Sequence, residues 1–366
     1  MINNYIKYLL IFSLILIIYA MGSYTDKKEI IILKKGRKYL DICLQNYLRI
    51  FYIKIEPKIS VIIPIYNCQN SIRYTIISIQ NQIFSDYEII LINDFSRDNS
   101  KKIIESFREK EHRIIIINNK KNMGTLYSRN IGVLAARGKY IFPLDNDDML
   151  FNPELFWLLY KVGIKHNYDI IGFKAINGLS YNSSINNMIN DPFINNKKNK
   201  VVHQPKLKFL SLDNNDCHIW GKFIKNVIYK NAINLLGIER YSVYLCIAED
   251  DVMVFLLFSS ARTYKFYPIY GLFHLQSNIT TFYTISNEHK LFAKIFYLDI
   301  LFDFTKNNFK EKKYAISFAI ILSKTFYSKQ KKNNRLYFKK VLNKILKCNF
   351  IDKKNKNYLL DIVKNI

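Results

Sequence analysis

The chain opens with an apolar run from Tyr8 to Ala20, turns polar and basic, and from Lys58 settles into an alternation of two hydrophobic patterns. Ile59 to Ile63 is a continuous β-branched run, as expected of a strand buried on both faces. Ile72, Ile76, Ile79 and Ile83 then recur at i, i+4, i+7 and i+11, which marks one face of a helix. Glu88 to Ile92 predicts a second strand, Ser100 to Lys110 a helix with Ile103, Ile104 and Phe107 inward, and Arg113 to Ile117 a third strand. Leu126 to Ala136 follows as a helix and Tyr140 to Leu144 as a fourth strand. Strands that alternate with helices predict an α/β fold, a mostly parallel sheet flanked by helices. Ligands of such sheets bind beyond the carboxyl ends of the strands.

Past residue 150 the pattern loosens. Residues 177 to 205 are rich in Asn, Ser and Lys and read as a long loop, 206 to 282 regain apolar runs, and 285 to 366 read as helical. The chain divides accordingly into an N-terminal hydrophobic segment (1–22), a stem or accessory helix ending at Pro57 (23–57), a central domain (58–282) and a basic helical C-terminal region (283–366).

Charge and composition refine this picture. The formal net charge is +26, and residues 301 to 366 carry 17 Lys or Arg against 4 Asp or Glu. Such a region either presents a solvated helical face or meets anionic lipid headgroups; no zinc-finger or RNA-binding signature accompanies it, so nucleic acid is the weaker partner. Cys43, Cys68, Cys217, Cys246 and Cys348 are odd in number and widely spaced, which argues against a disulfide framework. Tyr8 to Ala20 spans about 20 Å as a helix, short of the roughly 30 Å hydrocarbon core of a bilayer. It reads as a marginal membrane anchor, a cleaved signal segment or a buried helix. The lysines and arginines after it favour a cytoplasmic domain. Two glycosylation sequons, at Asn182 and Asn278, tilt the expectation toward the secretory pathway, with the cytoplasmic face of a membrane as the alternative.

The candidate chemistry lies at predicted strand ends. Pro64, Tyr66 and Asn67 follow the first strand, Asn93 and Asp94 the second, and Asp145, Asn146, Asp147 and Asp148 the fourth. One such cluster is usually a turn; three on one sheet edge describe a site. Asp145 and Asp147 flank a single residue and can face one hard divalent cation, which would stabilise a departing diphosphate. Tyr66 can stack on a base, and Asp94 can accept a hydrogen bond from the N–H of a uracil.

Ser60-Val-Ile-Ile-Pro-Ile-Tyr-Asn67, Asp86 to Asp98, Asn122-Met-Gly124 to Ser128-Arg-Asn130-Ile-Gly132 and Ala136 to Asp148 together resemble the family 2 glycosyltransferases of the GT-A (Rossmann-like) fold. The resemblance is close over residues 58 to 153 and looser to about 282. It implies an enzyme that moves a hexosyl or N-acetylhexosaminyl group, with inversion, from a nucleotide-sugar to a hydroxyl of a glycan, glycoprotein or lipid, with Mn2+ or Mg2+ as cofactor. Tyr66 and Asp94 would then contact the base, with Pro64 shaping that pocket. Arg129 would support the donor phosphates or the site wall, Asp145 would reach the ribose or the metal, and Asp147 would be the main metal ligand. Asp94 is the reason to expect a UDP-sugar. Downstream, Ala248-Glu249-Asp250-Asp251 resembles the family's acceptor-site element, with Asp250 as general base and Glu249 as acceptor ligand; read alone, it is the acidic first turn of a helix. Trp220 and Lys222 would border the acceptor or donor pocket, and His274 would be a third metal ligand or a phosphate contact.

Two departures stand out. Asn93 and Phe95 occupy positions where Asp and Gly are commoner, and an extra residue separates Asp148 from Pro153. The rival readings are a non-catalytic, membrane-tethered binding protein of the same fold and a sugar nucleotidyltransferase. The second would need a Gly-rich phosphate loop that Asn67 to Ser71 does not provide.

Overall fold

The computed structural model describes residues 56–178, 202–203, 218–245, 249–275, 286–305, 315–320, 322, 332–347 and 351–365. The N-terminal hydrophobic segment, most of the 177–205 loop and both sequons lie outside these residues. Among the described residues no helix is long and apolar enough to cross a membrane. Cys68 is a buried free thiol; the other four cysteines lie outside the described residues.

The first half follows the sequence pattern closely. Strand β1 (Ile59–Ile65) is buried at every position, as a two-faced strand must be. Val61, Ile63 and Ile65 enter one hydrophobic cluster and Ile62 the other, so the pleat serves a core on each side of the sheet. Each such isoleucine contributes on the order of 1.5–3 kcal/mol. Helix α1 (Ile72–Gln80) buries Ile72, Ile76 and Ile79; Ile83 lies beyond its end. Then come β2 (Tyr87–Asn93), α2 (Ser100–Lys110), β3 (Ile114–Asn118), α3 (Thr125–Ala135) and β4 (Tyr140–Pro143). Strands β3, β2, β1 and β4 are neighbours in that order, all parallel.

The second half differs from a simple parallel expectation. The remaining elements are β5 (Met149–Leu150), α4 (Leu155–His166), β6 (Ile170–Gly178), β7 (Val202–His203), β8 (Lys222–Lys225), α5 (Asn226–Leu236), α6 (Ile238–Tyr241), α7 (Glu249–Ser260), β9 (Thr263–Leu275), α8 (Asn287–Phe304), α9 (Lys332–Leu346) and α10 (Lys353–Asn365). β8 joins β4 and β6 antiparallel, while β6 pairs β9 parallel across a register shift. β5 and β7 both pair antiparallel with β9. The sheet of nine described strands is therefore mixed. Val202–His203 is strand where a loop was expected, because the long β9 offers it an edge to pair with.

The C-terminal helices are not an appendage. Leu298 and Leu301 of α8, Phe338 and Leu342 of α9 and Leu359 of α10 belong to the same hydrophobic cluster as Val252 to Phe258 of α7. Arg240 of α6 pairs with Asp303 of α8 at 2.5 Å, and Lys344 of α9 with Asp299 at 2.7 Å.

One close approach matters for the site. Gly124, which precedes α3, has φ 86° and ψ 165°, a backbone region that is in effect reserved for glycine. A Cβ there would sit 2.8 Å from the Leu245 carbonyl oxygen, which already accepts the Leu126 N–H at 3.0 Å. Gly124→Ala is expected to cost at least roughly 2 kcal/mol of stability, measurable as a lower urea midpoint. An unchanged midpoint would contradict this account of the turn.

Candidate active site

The carboxyl ends of β1, β2 and β4 gather the predicted residues along one edge, and their turns are bonded to one another. The Asp94 N–H donates to the Ile65 carbonyl at 2.8 Å. The Asn67 N–H donates to Ser96 Oγ at 3.2 Å, and the Arg97 N–H to Asn67 Oδ1 at 2.9 Å. Asn146, the residue between the two aspartates, donates to the Pro64 carbonyl at 2.9 Å, and its own carbonyl accepts the Thr75 hydroxyl at 2.9 Å. The middle residue thus fixes the turn that carries Asp145 and Asp147. Pro64 lies inside β1; Tyr66, just past it, is 45% exposed.

Asp94 is buried, and the loop after β3 captures its carboxylate. Oδ1 accepts Asn119 Nδ2 at 2.7 Å and the Met123 N–H at 2.8 Å, while Oδ2 accepts the Gly124 N–H at 2.8 Å. This side chain sets the entry to α3, and only lone pairs left over from those bonds can serve a base.

Arg129 is the hub. From α3, 2% exposed, it donates Nη2 to Asp145 Oδ1 at 2.9 Å and Nη1 to Asp250 Oδ1 at 3.0 Å, with Glu249 Oε1 at 3.7 Å. Enclosed among three carboxylates, this guanidinium links the strand-end aspartate to the acidic start of α7. The other Asp250 oxygen accepts the Ile219 N–H at 3.1 Å. Glu249, partly buried, has its pKa pushed up to about 8 by desolvation first and Asp250 second, although Arg129 opposes the shift.

A third group faces Asp147. Asp148 is fully buried, and its Oδ1 lies 2.9 Å from His274 Nδ1 on β9. Burial lifts Asp148 to about 7 against that hydrogen bond. His274 rises to about 9, because Asp148 and the neighbouring aspartates outweigh the penalty of burying its charge. The His274 ring stacks on Trp220 at 4.8 Å, and Trp220 stacks on His218 at 4.5 Å. Lys222, expected to border the acceptor or donor pocket, is buried and donates its ammonium to the His218 carbonyl, which braces this segment.

Among the described residues no three His, Cys, Asp or Glu side chains are gathered as one metal ion would need. Asp145 is turned to Arg129 and His274 to Asp148. The chemistry of the donors nevertheless suits a hard cation. Burial first, and Asp145 second, push Asp147 up to about 6, which is the penalty a divalent ion would relieve. Asn146 and Asp148 were read from sequence only as members of the fourth strand-end cluster, and Asn119 and His218 were not singled out at all, because the partners of all four are distant in the chain.

Residues 60–219 match the family model for glycosyl transferase family 2. Glycosyltransferase GlyA of Streptococcus pneumoniae is 28% identical over 204 residues, 52% of this chain and 28% of that protein. The GalNAc(5)-diNAcBac-PP-undecaprenol beta-1,3-glucosyltransferase of Campylobacter jejuni is 37% identical over 106 residues, 29% of this chain and 34% of that protein. The alignments therefore span well under half the length of these curated relatives. The crystal structure of S. aureus TarS in complex with UDP-GlcNAc superposes with a TM-score of 0.58 at 16% identity, covering 84% of this chain and 89% of that one. At that identity the likeness is one of fold, and it covers more of the chain than residues 60–219.

Proposed function

Residues 60–219 belong to a family 2 glycosyltransferase domain, and from that premise we propose that the chain transfers a sugar, with inversion, from a UDP-sugar to an acceptor hydroxyl. The observation that carries the reading is the Arg129 bridge, which holds Asp250, from 121 residues downstream, on the same guanidinium as Asp145 at the end of β4. A candidate base thereby stands beside the strand edge at which donors of such sheets bind.

The reaction follows from these positions. Tyr66 stacks on the base, and Asp145 and Asp147 face the diphosphate side. A divalent cation, Mn2+ or Mg2+, held by Asp147 with Asp145 or His274, would neutralise the charge that grows on the diphosphate as it leaves. Asp250, whose side chain is 20% exposed, takes the proton of the acceptor hydroxyl. The acceptor oxygen then bonds to the anomeric carbon from the face opposite the departing diphosphate. Glu249, protonated at neutral pH on the strength of its raised pKa, donates a hydrogen bond to the acceptor. Trp220, stacked on His218 and His274, borders the acceptor side as part of that ring stack.

A uridine donor is supported by the fold shared with TarS, which was solved with UDP and with UDP-GlcNAc. A lipid-linked acceptor is supported by the undecaprenol in the name of the C. jejuni relative. The apolar run at residues 8–20 would keep the domain at a membrane carrying such an acceptor. A panel of nucleotide-sugars assayed for manganese-dependent hydrolysis and transfer tests the proposal. One UDP-sugar should be turned over, and Asp147→Ala should lower that rate on the order of a hundredfold or more. Turnover of no donor, or full activity in Asp147→Ala, would sink the reading.

A further inference from the structure

Phe95 is held in a left-handed conformation, φ 62°, which bulky L residues rarely adopt. Core burial does not account for it, because the residue is 46% exposed. The turn around it is over-determined: Asp94 N–H to the Ile65 carbonyl, Ser96 N–H to Asn93 Oδ1 at 3.1 Å, and Asn67 N–H to Ser96 Oγ. Glycine would meet this backbone without strain, so the ring is maintained at a cost to the fold. It stands at the edge where Tyr66, 45% exposed, closes the neighbouring strand, with Ile65 and Asn93 in register. Two exposed aromatic residues therefore end adjacent parallel strands, one on each side of the Asp94–Ile65 bond.

Resting on the donor reading above, we propose that Phe95 is a second aromatic contact for the donor's nucleobase, which it packs against together with Tyr66. An outlying backbone conformation that serves no packing is accounted for when the side chain it projects has a ligand, and aromatic faces bind bases whatever their hydrogen-bonding edges. The Phe95 ring adds affinity for the base without touching the diphosphate.

Calorimetric titration with UDP, and with pyrophosphate as the base-free control, tests this. Phe95→Gly should weaken UDP about tenfold, leave pyrophosphate unchanged and melt no lower than the parent, because the turn is relieved. Phe95→Tyr should keep the parent's affinity. If Phe95→Gly binds UDP as the parent does, or loses pyrophosphate equally, the assignment to the base is overturned while the donor reading stands. If the parent binds no nucleoside diphosphate, both fall.

Discussion

Asp250→Asn should lower turnover by roughly a thousandfold while UDP binds as before. The amide keeps the size of the carboxylate and can still accept one of its two bonds, from Arg129 or from the Ile219 N–H. What it loses is the capacity to hold a proton. Single-turnover rates beside a UDP titration and a thermal melt separate the effects. A melt like the parent's with a slow chemical step identifies the base, whereas a variant that transfers at the parent's rate removes Asp250 from the mechanism.

Arg129→Met should be the most destabilising single change at the site. Removing a buried cation leaves Asp145 and Asp250 without their counter-charge, at a cost of about 3–5 kcal/mol, and so a melting temperature lower by roughly 5–10 °C. The loss should depend on pH, with a definite sign. Glu249 holds its proton up to about 8 in the folded protein, against an ordinary value of 4.5. Between those values the folded state binds more protons than the unfolded, and stability falls as pH rises. Without the guanidinium its neighbours hold that proton to still higher pH, and the fall in stability continues beyond 8. Urea midpoints at about pH 8 and about pH 9.5 should therefore separate more widely for Arg129→Met than for the parent; equal separation would show that the three carboxylates are not coupled through Arg129.

The parallel half of the fold was legible because its signals are local. Strands β1 to β3 are short isoleucine-rich runs, β4 is a short apolar one, and each helix repeats its apolar face over three turns, so the pattern places them within two or three residues. The second half resists such reading, because its pairing is set by partners far apart. β6 and β9 join across some ninety residues with a shifted register, and β7 exists only through β9. The site divides in the same way. That Asp94, Asp145 and Asp147 would follow neighbouring strands on one sheet edge was visible from the strand ends, and Asp250 was singled out by the family resemblance alone. Where each carboxylate points was not. Asp94 turns to the Met123 and Gly124 amides, Asp148 to a histidine 126 residues away, and Lys222 inward to a carbonyl. A residue type and a spacing cannot reveal which lone pairs the folded chain has already engaged.

The Arg129 bridge also bears on how the molecule can be divided. The family segment alone, severed before α7, would retain Arg129 in its core with Asp145 as its remaining partner from the trio, and would lose the Val252 to Phe258 wall that completes the hydrophobic cluster behind it. Truncation ahead of α7 is therefore expected to leave a segment that does not fold on its own. During synthesis, the sheet edge acquires its final electrostatic balance only after α7 has left the ribosome.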